Sequence, residues 1–158
     1  MKKLIKKIII SLMCITAMIT VSNVNALDNI DVSTYIEEEF ADGSYIEVTI
    51  EQSHNLARST TIQGKKTASY KGSDGTTYWS VTVTGTFTYN GTTASCTQSL
   101  VSTKNNSVSW KLSNAKASKS GATALASVTA KQYHQDGTVL KTVNKTVQLT
   151  CSASGNLS

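Results

Sequence analysis

Few residues in this 158-residue sequence are of types that do chemistry, and their spacing decides what each can do. The histidines are His54 and His134, and beyond residue 51 the acids are Asp74 and Asp136 alone. A Ser-His-Asp site needs three groups in defined mutual roles. His134 and Asp136 stand close together, but Gln135-Asp136-Gly137 reads as a turn, and Asp74 sits in a second turn, Gly72-Ser73-Asp74-Gly75. Paired carboxylates for glycoside hydrolysis would have to come from Glu37, Glu38 and Glu39, which read as a solvated face. The ligand clusters of a zinc site and the glycine-rich loop of a phosphate site are missing from the pattern. The chain is therefore read as non-catalytic, with no catalytic, cofactor-binding or metal residue assigned.

The first 26 residues read as a secretory signal peptide. Lys2, Lys3, Lys6 and Lys7 make the basic start, Ile8 to Val21 the apolar stretch, and Val24-Asn25-Ala26 the small-residue cleavage site. Ser11, Thr16 and Thr20 interrupt the stretch, which falls short of the roughly 18 to 20 apolar residues of a membrane span. Export leaves no transmembrane segment and removes Cys14, so Cys96 and Cys151 remain, and two thiols in an oxidising compartment imply one disulfide. Closing a loop of about 55 residues would stabilise the fold by about 4 kcal/mol in the chain-entropy model. A cysteine nucleophile needs a free thiolate beside a base, which that bond precludes.

Those residues must be positioned by strands. From Tyr45 onward the pattern has period two, Thr, Val, Ser and Tyr dominate, and there is no proline. Strands are expected near 45–51, 56–71, 77–89, 93–103, 107–118, 122–134 and 138–151, separated by turns at Gly72-Ser73-Asp74-Gly75, Asn90-Gly91, Asn105-Asn106, Ser120-Gly121 and Asp136-Gly137. A two-residue type I′ turn at Asn90-Gly91 would place Tyr89 opposite Thr92, Phe87 opposite Ala94, Gly85 opposite Cys96 and Val81 opposite Leu100. Cys96 then lies on the apolar face of Trp79, Val81, Val83, Phe87 and Tyr89. Cys151 shares a parity with Val139, Val143, Val147 and Leu149, which Lys141 and Lys145 interrupt. Ala122, Ala124, Ala126, Val128 and Ala130 form a face of small residues that lets an opposing sheet or a bulky group such as Trp110 come close.

The N-terminal part of the mature chain reads differently. Thr34-Tyr35-Ile36-Glu37 has capping-box spacing, which predicts a short helix to about Ala41, stopped by Asp42-Gly43. The expected organisation is a signal peptide over 1–26, an acidic helical or irregular segment over 27–44, and an antiparallel all-β sandwich over 45–158. Charge divides along the same line. Residues 27–51 hold eight acids and no bases, whereas residues 52–158 hold eleven bases and two acids. The basic part is either a surface for anionic polymers or a set of solvated strand faces, and the acidic segment has the charge to lie against it.

Cys96, Trp110 and Cys151 resemble the Cys…Trp…Cys order of immunoglobulin domains, which implies an immunoglobulin-like topology. Leu149 stands where that family places a tyrosine, and only seven residues follow Cys151. The stretches Tyr78-Trp79-Ser80-Val81, Phe87-Thr88-Tyr89-Asn90-Gly91 and Leu149-Thr150-Cys151-Ser152-Ala153 also resemble small uncharacterised secreted β-sandwich proteins of Gram-positive bacteria. That resemblance implies export and fold and carries no site residues. Leu12-Met13-Cys14 lacks the small residues of a lipobox, and Gly155-Asn156-Leu157-Ser158 is neither an apolar tail nor a sorting motif, so release, with at most loose charge-held attachment to the wall, is expected.

Secreted sandwiches use exposed aromatic rings as sugar platforms, and Tyr78, Tyr70 and Tyr133 are the candidates for that role. The functional expectation is a binding module for a cell-surface glycan, a cell-wall polymer or a protein, without specific nucleic-acid recognition and without a cofactor. The alternative is a self-associating structural component of the envelope or matrix that assembles by strand addition at a free edge.

Overall fold

The computed structural model describes residues 29–54 and 60–158. The expected signal peptide, the start of the acidic segment and part of the strand expected from residue 56 lie outside the described residues. Those described form eight strands: β1 (Asn29–Glu39), β2 (Tyr45–His54), β3 (Thr61–Lys71), β4 (Thr77–Tyr89), β5 (Ala94–Asn105), β6 (Trp110–Ser120), β7 (Thr123–Tyr133) and β8 (Val139–Thr150). Among them no helix is long and apolar enough to cross a membrane.

The alternation expected from the sequence governs β4, where Trp79, Val81, Val83 and Phe87 are fully buried while Thr82, Thr84 and Thr86 point away from the core. Each such side chain contributes about 1.5–3 kcal/mol by leaving water. β7 supplies the opposite wall through Ala124, Ala126, Val128 and Ala130. Its small side chains let β4 approach: a Cβ added at Gly85 would stand 2.5 Å from the Phe87 ring and 3.0 Å from the Ala124 Cβ.

The N-terminal helix is not formed. Residues 29–39 are a strand, antiparallel to β2, with Thr34 opposite Thr49 and Tyr35 opposite Val48. Ile30, Val32, Thr34 and Ile36 are β-branched and alternate with Asp31, Ser33 and Tyr35, so the segment satisfies a ladder better than a helix. The Thr34 hydroxyl bonds the Thr49 hydroxyl at 3.2 Å rather than capping an amide. Asp42-Gly43 acts as a hairpin turn, with Gly43 at φ 77°, and the acidic segment belongs to the sheet.

Within each sheet the strands pair in chain order, giving a five-stranded sheet β1-β2-β3-β4-β5 and a three-stranded sheet β6-β7-β8, both antiparallel. Immunoglobulin domains bring non-consecutive strands side by side, so the consecutive order here does not confirm the immunoglobulin-like topology. The turn at Asn90-Gly91 is also longer than expected. Asn90 Oδ1 accepts from the amides of Thr92 (3.0 Å) and Thr93 (2.8 Å), and positive φ is needed at Gly91 alone, at 85°. Tyr89 therefore faces Ala94 and Phe87 faces Cys96. A bulge after Phe87 then sets Leu100 opposite Thr84, and Leu100 is left half exposed.

The two sheets meet unequally. β7 and β8 pack over β3, β4 and β5, whereas the backbone of β1 neighbours β2 alone. On the β5 side the sheets are stitched together: the Cys96 amide donates to Gly121 O (2.8 Å), Ser99 Oγ to Leu125 O (3.1 Å) and Asn105 Nδ2 to Trp110 O (2.8 Å). The opposite side, between β1 and β8, is open.

Candidate functional site

At one end of the open side, a polar clasp joins the first hairpin to β8. Tyr70 on β3 pairs directly with Trp79 on β4, so it points into the core with it. Its ring stacks on Trp79 (centroids 5.4 Å apart, planes 5° apart) and packs against Trp110 and Phe40 at 4.9 and 5.5 Å. The buried Tyr70 hydroxyl lies 2.6 Å from Ser44 Oγ and accepts from Lys141 Nζ at 2.7 Å. Lys141 also donates to Asp42 Oδ2 at 3.1 Å and sits 4.0 Å from the centre of the Phe40 ring. Asp42 Oδ1 accepts from the Ser44 hydroxyl (2.5 Å) and amide (3.1 Å).

The electrostatics define what this clasp does. The Ser44 hydrogen bonds, with Lys141 adding to them, hold the Asp42 carboxyl at a pKa of about 2. Burial pulls the Lys141 ammonium down, but its hydrogen bonds to Tyr70 and Asp42 outweigh that and leave its pKa raised. A serine beside a lysine is the layout of a nucleophile and its base, yet such a base must be neutral to take a proton. Lys141 is held charged and Ser44 is buried, so the group acts as a hydrogen-bonded tie. The Trp79 and Trp110 indole N–H groups beneath it have no acceptor, a cost of about 1–3 kcal/mol each that packing must offset.

Of the three candidate tyrosines, Tyr70 is buried and Tyr78 and Tyr133 are half-buried. Tyr70, at 2% exposure, is a core residue. Tyr78 is half-buried against it, with ring centroids 6.2 Å apart, and its hydroxyl lies over Gly72, where an added Cβ would meet it at 2.8 Å. Tyr133 ends β7, half-buried, with Lys111 Nζ 5.0 Å from the centre of its ring. Local pattern did not reveal the inward Tyr70: a register shift between Tyr70 and Lys71, next to the Gly72–Thr76 turn, is what sets Tyr70 opposite Trp79.

Cys96 and Cys151 are both buried, as their parities require, but they are free thiols and the expected bond between them is not formed in the structure. Their amides donate to adjacent carbonyls, Cys96 to Gly121 O at 2.8 Å and Cys151 to Ala122 O at 3.0 Å, which brings both residues to the start of β7. Burial raises both thiol pKa values, and the neighbouring Cys96 raises Cys151 further. Neither is an activated nucleophile. Asp136 caps its own turn, accepting from the Thr138 amide (2.8 Å) and hydroxyl (2.7 Å), with His134 Nδ1 at 3.4 Å on the same exposed loop. Asp74 caps the Gly72–Thr76 turn in the same way.

The middle of the open side holds a cleft of about 260 Å³ lined by Glu37, Val48, Lys66, Lys145, Thr146, Val147 and Gln148. It is spanned by the ion pair of Glu37 with Lys145. The two lysines that break the apolar parity of β8 thus reach the acidic first hairpin, the charge match open to the sequence. Beyond the cleft, β1 exposes Ile30, Val32 and Ile36 to 47, 44 and 49%. With Val139 and Leu140 at the start of β8, these make five of the seven large apolar side chains exposed among the described residues, and all five lie on the two strands that border the open side. Comparisons with protein-family profiles, curated proteins and solved structures find no match.

Proposed function

We propose that this chain is an exported, non-catalytic interaction module that meets a protein partner through the open side of its two sheets. The observation that carries this reading is the row of exposed apolar side chains, Ile30, Val32 and Ile36, on the edge strand β1, with the rest of the outer surface rich in Thr, Ser and Lys. Single exposed apolar residues are ordinary, whereas a cluster along a free strand edge offers both apolar area and unpaired backbone groups to an extended partner. A glycan reading has less support because Tyr70 is buried and Tyr78 packs against it. Outside the cell, Cys96 and Cys151 are joined by exchange with a small-molecule disulfide, which takes up two electrons and two protons and leaves as two thiols.

A glycan panel and isolated cell-wall polymers, probed with the exported protein at low and high salt, test the reading. Binding that disappears with salt reflects screened surface lysines and leaves the reading in place. Salt-resistant binding to a defined sugar that is lost in Tyr78→Ala or Tyr133→Ala would overturn it.

A further inference from the structure

We infer that the protein partner is a second copy of this chain, joined through β1 in an antiparallel two-fold pair centred on Ser33. This rests on the protein-directed reading above and goes beyond it by naming the occupant of the edge. β1 stands at the end of its sheet with β2 on one side, and a two-fold axis is the commonest way for one surface to meet its own copy.

The order of residues along β1 is what selects a second copy. With Ser33 opposite Ser33 of the other copy, Ile30 faces Ile36, Asp31 faces Tyr35 and Val32 faces Thr34, and symmetry repeats each pair. Ile30, Val32, Thr34 and Ile36 share the outer parity, so the six apolar side chains of the two copies line one continuous stripe. No acid faces an acid, although the strand carries Asp31, Glu37, Glu38 and Glu39. The match of apolar residues discriminates between registers: centring on Thr34 sets Ile30 against Glu38 beyond the bulge, while centring on Val32 leaves Ile36 opposite a position outside the strand.

The bulge between Ile36 and Glu38 ends the regular edge just beyond the last matched apolar pair, so Glu38 and Glu39 lie outside the pairing. The β8 edge does not compete. Its inward lysines, Lys141 and Lys145, already bond Asp42 and Glu37 within the same chain, and a two-fold pair about that strand would add no charge match.

Sedimentation equilibrium of the exported protein over a hundredfold concentration range tests the dimer, together with mild oxidation of Ser33→Cys. The expected result is a reversible monomer–dimer equilibrium, weakened at least tenfold by Val32→Lys without change in the melting curve at concentrations where both chains are monomeric, and a Ser33→Cys chain that cross-links to a dimer on a non-reducing gel. A protein that stays monomeric throughout overturns the inference while leaving a different protein partner open to the edge. A dimer insensitive to Val32→Lys, with no Ser33→Cys cross-link, also overturns it, because the contact then lies elsewhere. Both differ from failure of the protein-directed reading itself, which would appear as salt-resistant, tyrosine-dependent glycan binding.

Discussion

The two sides of the molecule are built on different physics. Where β5 meets β6 and β7, the sheets are joined by short, neutral hydrogen bonds from Cys96, Ser99 and Asn105 to carbonyls of the other sheet, and the two buried thiols sit at the same place. Where β1 faces β8, the gap is bridged by long charged side chains, Lys141 to Asp42 and Lys145 to Glu37. The first side is fixed by bonds to main-chain carbonyls. The second depends on ion pairs that reach solvent, whose stabilisation is small, and beyond them it leaves Ile30, Val32 and Ile36 uncovered. One side of the sandwich is joined through main-chain carbonyls, and the other is bridged by side chains alone.

Breaking the closed body costs most. Trp79→Ala removes a fully buried ring from beneath Tyr70 and Trp110 and should lower unfolding free energy by about 3–5 kcal/mol in urea titration. Oxidation of Cys96 and Cys151 with a small-molecule disulfide should raise stability by up to about 4 kcal/mol, an effect reversed by reductant and missing from Cys96→Ala. Mass spectrometry of the oxidised chain should show the loss of two hydrogens; an unchanged mass and midpoint would remove the bond from the account.

Loosening the open side costs less. Lys141→Met should lose about 1 kcal/mol, because the ammonium is partly solvated. Its pH dependence has two limbs. Asp42 is depressed to about 2 from 3.8, so its share is complete above the ordinary value and fades as pH falls towards 2. Lys141 is raised from 10.5, so its share is complete below that value and is lost as pH climbs past the folded one. The difference between native and Lys141→Met melting temperatures should therefore be flat near neutrality and shrink at both extremes. Smallest of all, Ile36→Lys should change monomer stability by no more than about 0.5 kcal/mol in the same titration, since Ile36 lies on the uncovered outer parity.

Much of this arrangement was legible in the chain. Period-two alternation located seven strands, and the inward parities of Cys96, Cys151 and Trp79 hold. Register failed where side chains reshaped turns: Asn90 capping Thr92 and Thr93 lengthened one hairpin, and the bulge after Phe87 reversed the parity of Leu100. The acidic segment misled because Thr34 and Glu37 have capping-box spacing, and Asp42-Gly43 reads equally as a helix stop or as the hairpin turn that pairs the segment with β2. The clasp was half visible, since Lys141 and Lys145 broke an apolar parity. Their acidic partners lie about a hundred residues away, which no local pattern encodes.

Hydrogen exchange, read strand by strand in dilute solution, tests the contrast between the two sides most directly. Amides of β4 and β7 should exchange only through global unfolding, while those of β1 exchange through local opening of much lower free energy. Amides in β1 as slow as those in β4 would contradict a fold held from one side and free on the other.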